Sequence, residues 1–170
     1  SPRGDRNPPR QGRCGKLPVY VNIPEELMNR GVCYCKDCQA YAHFLGKAGD
    51  ILDDRGGTDV VAIVPKNLHF TQGLENLACM SLTGKGLLRW YASCCNTPVG
   101  NTMRNFKLSF VGLVHTCLEG PSTSLEDSFG PVSMRICTKS AKGTSNPIPE
   151  RKLGAMFRIL KSLIRSRLDG

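Results

Sequence analysis

The spacing of apolar residues predicts a β-rich core within the first 117 residues of the chain. Short runs of apolar and β-branched residues alternate with turns that contain Gly, Pro or Asn. Runs of this length and spacing are typical of short strands in a mainly antiparallel fold. The predicted strands are residues 14–23, 31–35, 58–64, 68–71, 76–82 and 87–92.

Other stretches of the pattern predict helices and loops. Residues 39–47 fit a short helix, and the apolar run 106–117 fits either a strand or a buried helix, because periodicity alone does not separate the two. Abundant Gly, Pro, Ser and Thr at 118–149 predict a surface loop followed by a linker. Residues 150–170 change to a helical period, which predicts a basic amphipathic helix. Its apolar stripe comprises Leu153, Met156, Phe157, Leu160, Ile164 and Leu168.

The positive charge of the chain is concentrated at its two ends. The net charge is +9; residues 135–170 hold nine Lys or Arg against two acidic residues, and residues 1–13 hold four Arg against one Asp. Three roles stay open for the C-terminal helix, which are packing on the domain, lying on an anionic membrane and binding nucleic acid. No apolar run approaches the roughly 20 residues of a transmembrane segment. No signal-peptide pattern is present either, so we expect a cytoplasmic protein.

Three cysteines within six residues are the strongest chemical signal. Cys33, Cys35 and Cys38 have the spacing C-x-C-x-x-C. Residues i and i+2 of an extended segment point to one face, and a following turn can bring the third sulfur to the same point. Such a set favours zinc, and three ligands leave one coordination position open. A disulfide framework is the alternative for the nine cysteines, but the odd count and a reducing compartment favour a metal.

Two further segments complete a family resemblance. Cys14-Gly15 lies on the first predicted strand, and Cys94-Cys95-Asn96-Thr97-Pro98 follows the strand that contains Arg89-Trp90-Tyr91. Together with the C-x-C-x-x-C motif, residues 12–115 resemble the glutathione-dependent formaldehyde-activating (GFA) family, which includes centromere protein V. The resemblance is to an uncharacterised GFA-related subgroup, through the segments 37–40, 43–46 and 87–91. It implies a β-tent fold with two zinc sites, a structural four-cysteine site and a three-cysteine site associated with glutathione chemistry.

The chain departs from the family pattern at the structural site. Gly12 and Ala92 stand where the resemblance places two of the cysteines, so only Cys14 and Cys95 remain, with Cys94 out of register. Two thiolates do not close a structural zinc site. We therefore expect that site to be empty or rebuilt. Alternatively, Cys95 or Cys94 supplies the fourth ligand of a single merged site with the three cysteines of the C-x-C-x-x-C motif.

The resemblance also yields expectations about domains and activity. The chain divides into a flexible basic arm (1–13), a GFA-like zinc domain (14–117), a loop and linker (118–149) and the helix (150–170). The implied activity is that of a carbon–sulfur lyase on glutathione or related thiol–aldehyde adducts, similar to S-hydroxymethylglutathione synthase. A non-catalytic zinc module with basic tails is the alternative. His43 is either a fourth ligand or proton shuttle, or an ordinary helix residue. Arg89, Trp90 and Asn96 are candidate substrate contacts.

Overall fold

Ten strands in two sheets form the framework of the part of the chain that the structure describes. This part comprises residues 10–11, 14–22, 29–107, 110–118, 124–143, 147–150, 161 and 164 of the computed structural model. The prediction of a mainly β protein is confirmed for these residues. The strands are β1 (Arg10–Gln11), β2 (Val19–Val21), β3 (Asn29–Cys33), β4 (Thr58–Ile63), β5 (Leu68–Phe70), β6 (Leu77–Met80), β7 (Leu88–Ala92), β8 (Thr97–Thr102), β9 (Val111–Val114) and β10 (Met134–Ile136).

The two sheets differ in size and share one core. The larger sheet has the order β10-β3-β4-β9-β8-β7-β6, and the smaller has the order β1-β2-β5. Every strand pair is antiparallel except β10 with β3, which is parallel. Apolar side chains of the small sheet meet those of the large sheet in a common cluster, so the two sheets are packed together by hydrophobic burial. Fully or nearly fully buried members of this cluster include Leu17, Val19, Val21, Val61, Ile63 and Leu113.

Three short α-helices with described bounds accompany the sheets. They are α1 (Lys36–Phe44), α2 (Ala48–Ile51) and α3 (Leu125–Phe129). Helix α1 begins earlier than the predicted 39–47, because Cys35 caps it: the Cys35 Sγ accepts the backbone N–H of Cys38 at 3.3 Å. It ends before Gly46, whose φ of 66° is a left-handed conformation that favours glycine.

Helix α1 is fixed against the large sheet by a second apolar cluster. Its buried face carries Tyr41, Ala42 and Leu45, which pack with Ile51 of α2 and Val114 of β9. The Tyr41 hydroxyl also donates to the backbone carbonyl of a β7 residue at 2.7 Å. The start of α1 is therefore held in a defined place over the sheet, and the cysteines at this helix end are held with it.

The segment 118–149 is more than the predicted loop and linker. It contributes α3 and also β10, which pairs with β3 from Met134↔Gly31 to Ile136↔Cys33. The Arg30 side chain donates to the carbonyl of Gly130 at 3.1 Å, which ties this segment to β3. A strand of three residues is too short to show an alternation of apolar and polar positions. The Gly, Pro, Ser and Thr content of the surrounding segment therefore led to the prediction of a loop.

The remaining expectations concern the apolar run 106–117, the two basic ends of the chain and a membrane span. The run 106–117, for which strand and helix were both open, contains β9 followed by a 3-10 turn at His115–Cys117. The basic arm 1–13 and the C-terminal helix 150–170 lie almost entirely outside the described residues. Within the described part of the chain, no helix has the length and apolar character needed to span a membrane.

Candidate metal centre

A strand-to-helix turn brings three thiols together. Cys33 is the last residue of β3, Cys35 is the residue that caps α1, and Cys38 lies in the first turn of that helix. Their Sγ atoms all lie within 4.8 Å of one another. Cys33 and Cys38 are 8% and 6% exposed, and Cys35 is half-buried. We call these three residues the Cys33 group.

The local electrostatics concentrate negative charge on the middle thiol of this group. Hydrogen bonds from the thiols of Cys33 and Cys38 lower the pKa of Cys35, and the charge of Arg89 adds to the shift. The same hydrogen bonding, together with burial, raises the pKa of Cys33. The Cys35 Sγ also lies at the N-terminus of α1, where backbone N–H groups and the helix dipole stabilise an anion. The turn thus favours a thiolate, which is the form that binds a metal.

A buried arginine contacts the Cys33 group. Arg89 of β7 is only 2% exposed, and its Nη1 lies 3.6 Å from the Cys38 Sγ. The same Nη1 donates a hydrogen bond to the Oδ1 of Asn101 at 3.3 Å. Asn101 is the residue directly opposite Arg89 on β8. The guanidinium carbon also lies 5.4 Å from the centroid of the Tyr41 ring. Arg89, predicted as a substrate contact, therefore points at the thiols from inside the protein.

The arrangement fits a zinc ion. With Zn–S bonds of about 2.3 Å, a tetrahedral ion separates its sulfurs by roughly 3.8 Å, which is compatible with three Sγ atoms within 4.8 Å. An all-thiolate set also matches the preference of soft metals. Among the described residues, no fourth cysteine, histidine or carboxylate joins the group. The described residues thus offer three sulfur ligands at this place.

A second set of three thiols is formed by one residue before β2 and two residues of the β7–β8 turn. Cys14 precedes β2, and Cys94 and Cys95 lie in the tight turn between β7 and β8. Their Sγ atoms also lie within 4.8 Å of one another, and those of Cys14 and Cys94 are 3.4 Å apart. The Cys95 Sγ is 3.0 Å from Thr97 Oγ1. We call Cys14, Cys94 and Cys95 the Cys14 group.

The structure separates the ligands that the merged-site alternative combined. Cys95 groups with Cys14 and Cys94 and not with the Cys33 group. Cys14 and Cys95, the two cysteines left at the expected structural site, lie together with the out-of-register Cys94, and whether this set is empty or holds a metal stays a prediction. The Cys14 group differs from the Cys33 group in exposure. Cys14 is 7% exposed, but Cys94 is exposed, whereas every member of the Cys33 group is buried or half-buried.

Three predicted site residues remain, and they differ in where they lie. His43 is exposed on α1 and belongs to neither thiol group. The indole N–H of Trp90 donates to Thr102 Oγ1 at 2.9 Å, across the β7–β8 pair, and its ring packs on the core. Asn96 has a φ of 54°, so its role in the structure is to close the turn that presents Cys94 and Cys95.

Two residues that shape the Cys33 group were not predicted from the sequence. Asn101 and Tyr41 hold the Arg89 guanidinium, one by a hydrogen bond and one by its ring face. A signal was present in the alternation of β7, because residues 89 and 91 of one strand point to one face. Tyr91 packs with the cluster beneath α1, so Arg89 faces the same helix.

Comparison with known proteins identifies the family. A sequence model described as "Family of unknown function (DUF6151)" matches residues 7–164. The chain belongs to the DUF6151 family. The DUF6151 match includes both thiol groups, and no curated protein matches the chain. A crystal structure of a Rhodobacter sphaeroides protein is similar, with 17% identity, coverage of 69% of this chain and 93% of the other, and a TM-score of 0.48.

Proposed function

We propose that this protein binds zinc through the Cys33 group and takes a small thiol, or a thiol–aldehyde adduct, at the open fourth position. The observation that carries the proposal is the Cys33 group itself: three buried or half-buried sulfurs within 4.8 Å, with no fourth protein ligand among the described residues. Three protein ligands with one open position are the usual composition of a working zinc site. Zinc bound there would supply Lewis acidity and lower the pKa of an incoming thiol.

The residues of the chain have distinct roles in this proposal. The strand-to-helix turn sets the direction of the three Sγ atoms, and α1 is kept in place by the burial of Tyr41 and Leu45. Burial of Cys33 and Cys38 excludes water from one side of the group, so that exchange occurs on the side of the half-buried Cys35. A pre-organised site of this kind lowers the entropy cost of binding a ligand.

The finer proposal is a carbon–sulfur lyase activity on glutathione adducts. In the reaction, S-hydroxymethylglutathione gives formaldehyde and glutathione: the carbon–sulfur bond breaks, and the hydroxyl proton ends on the glutathione sulfur. The GFA resemblance of residues 12–115 and the open ligand position support it, and the resemblance itself stays a prediction. We place the protein in a reducing compartment such as the cytoplasm, where thiols remain available for a metal.

A non-catalytic zinc module is the second candidate, and the surroundings of the Cys33 group favour it. The side chain that contacts the sulfurs from β7 is that of Arg89, and a guanidinium cannot act as a base. His43, the predicted proton shuttle, is exposed and is not part of the group. In this role the domain would be a platform, and the basic ends would contact nucleic acid or an anionic membrane.

We further propose that the Cys14 group binds a second metal more weakly than the Cys33 group. Its three thiols have a comparable spacing, but Cys94 is exposed and no described arginine or lysine donates a hydrogen bond to the sulfurs. Exposure allows water to compete for the ion, and a lower affinity follows. A weaker second site is distinguishable from the first by titration.

Metal analysis of purified protein tests both sites. We expect two zinc ions per wild-type chain, one in Cys35→Ser and one in Cys94→Ser, since each change removes a ligand from one group. Cys79→Ser is the matched control, because Cys79 is exposed and belongs to neither group. Equal zinc content in wild type and Cys35→Ser would overturn the proposed function.

Exchange kinetics separate the two function classes. The rate of exchange between S-hydroxymethylglutathione and its components is measured by NMR with wild type, with Cys35→Ser and without protein. Acceleration by wild type alone supports the lyase. Equal rates in all three samples, with zinc bound to wild type, assign the protein to the non-catalytic class.

A further inference from the structure

The buried guanidinium of Arg89 has no carboxylate counter-ion among the described residues. Its side chain is 2% exposed, and within the described ranges no carboxylate forms an ion pair with it. Its polar partners are the neutral amide of Asn101 at 3.3 Å and the Cys38 Sγ at 3.6 Å. A charge removed from water is costly unless it is paired, so a buried arginine in this position requires an anion nearby.

The neutral partners do not supply that anion. Asn101 offers only a carbonyl dipole, and the Tyr41 ring offers only its quadrupole. Burial raises the pKa of the Tyr41 hydroxyl, and this hydroxyl donates to the carbonyl of Trp90, so the phenol remains neutral. The Cys33 group is then the one source of negative charge in contact with the guanidinium among the described residues.

We propose that Arg89 is the counter-charge of the metal centre and raises the metal affinity of the Cys33 group. Three thiolates and one divalent ion together carry a net charge of −1, which the guanidinium balances inside the protein. Arg89 is therefore a positioning residue: it stabilises the charged sulfurs and does not contact the incoming ligand. The inference rests on the proposed metal binding at the Cys33 group.

The second thiol group provides an internal comparison. No described arginine or lysine donates a hydrogen bond to Cys14, Cys94 or Cys95. Loss of the Arg89 charge is therefore expected to weaken binding at one group and to leave the other unchanged. A general loss of folding would weaken both.

The test is a Co²⁺ titration of Arg89→Met, Arg89→Lys and wild type against a competing chelator, with thiolate-to-metal charge-transfer absorption as the signal. From the Coulomb interaction at a few ångströms in a partly polarisable interior, we expect roughly 100-fold weaker binding at the Cys33 group of Arg89→Met. Arg89→Lys retains the charge and should restore most of the affinity. Lys85→Met is the matched control, since it removes one positive charge from an exposed turn.

A second variant keeps the inference testable if Arg89→Met does not fold. Asn101→Asp conserves shape and places a carboxylate beside the guanidinium, where it competes with the sulfurs for the positive charge. We expect weaker Co²⁺ binding at the Cys33 group and unchanged binding at the Cys14 group. Each site is assigned by repeating the titration in Cys35→Ser and Cys94→Ser.

Two negative outcomes have different meanings. If wild type binds no Co²⁺ at the Cys33 group, the proposed function is wrong and the role of Arg89 is wrong with it. If wild type binds there but folded Arg89→Met or Asn101→Asp binds with the same affinity, only the role of Arg89 is overturned.

Discussion

Replacing Gly73 by Ala should destabilise the fold where the Cys14 group is built. Gly73 has a φ of 78°, and an added Cβ would lie 1.8 Å from the backbone oxygen of Lys16. Contacts under 3.0 Å are essentially never adopted by a real Cβ, so the two backbones must separate by at least the difference, 1.2 Å. The left-handed conformation costs about 1–2 kcal/mol for a residue with a side chain, and overpacking costs about 1–3 kcal/mol. We therefore expect Gly73→Ala to lower the free energy of unfolding by about 3 kcal/mol.

The displacement should also weaken metal binding at one site. Lys16 lies in a turn that is closed by a hydrogen bond of 3.2 Å from the backbone N–H of Leu17 to the carbonyl oxygen of Cys14. Leu17 is fully buried. The Sγ atoms of Cys14 and Cys94 are 3.4 Å apart in the wild-type structure, and a shift of this turn would change that distance. We expect weaker Co²⁺ binding at the Cys14 group and unchanged binding at the Cys33 group.

Denaturant unfolding of metal-free protein measures the stability change, and the Co²⁺ titration measures the two sites. Gly84→Ala is the control, since an added Cβ at Gly84 meets nothing within 4 Å. An ordinary surface substitution changes the free energy of unfolding by no more than about 0.5 kcal/mol. If the free energy of unfolding of Gly73→Ala lies within that range of wild type, the steric argument is refuted.

Three further predictions concern other contacts. Tyr41→Phe removes the hydroxyl that donates to the Trp90 carbonyl at 2.7 Å, and denaturant unfolding should show a loss of about 1–2 kcal/mol; no loss would mean that water replaces this bond. Arg30→Met breaks a half-buried ion pair with Asp59 and a hydrogen bond that holds the segment before β10, so limited proteolysis should cut near residue 130 faster than in wild type. Removal of metal by a chelator should lower the thermal midpoint of wild type, because an ion that binds only the folded state stabilises it; an unchanged midpoint would contradict structural binding.

Local patterns account for the parts of the fold that sequence analysis predicted correctly. Strand β4 is β-branched and apolar, and β7 lies between a Gly-containing turn and the Cys94-Cys95 turn, so their bounds are close to those predicted. The Cys33 group is local as well: an i, i+2 pair followed by a turn determines it within six residues. Contacts within one segment are encoded by spacing, which a single sequence displays.

The parts that were missed depend on distant partners. Strand β10 acquires its identity from β3, about a hundred residues earlier, where Met134 pairs with Gly31. Cys14 and Cys94 are likewise 80 positions apart, and it was the family resemblance that placed Cys14 in one site with the Cys94-Cys95 segment, since no spacing within the chain indicates this contact. Alternation along β7 places Arg89 on one face, but the position of α1 over that face is a tertiary contact. A spacing rule contains no information about which segments meet in this way.

The two thiol groups are built by different means, which argues for different roles. The Cys14 group joins the segment before β2, in the small sheet, to the β7–β8 turn of the large sheet, so an ion bound there would cross-link the two sheets. The Cys33 group is contained in one turn, where an ion would cross-link little that is not already joined. Its distinctive features are the burial of two of its thiols and the contact of one of them with a buried arginine. If the Cys33 group binds a metal as proposed, a site that adds little cross-linking, has an internal counter-charge and leaves a coordination position open is better suited to binding an exchangeable ligand than to supporting the fold.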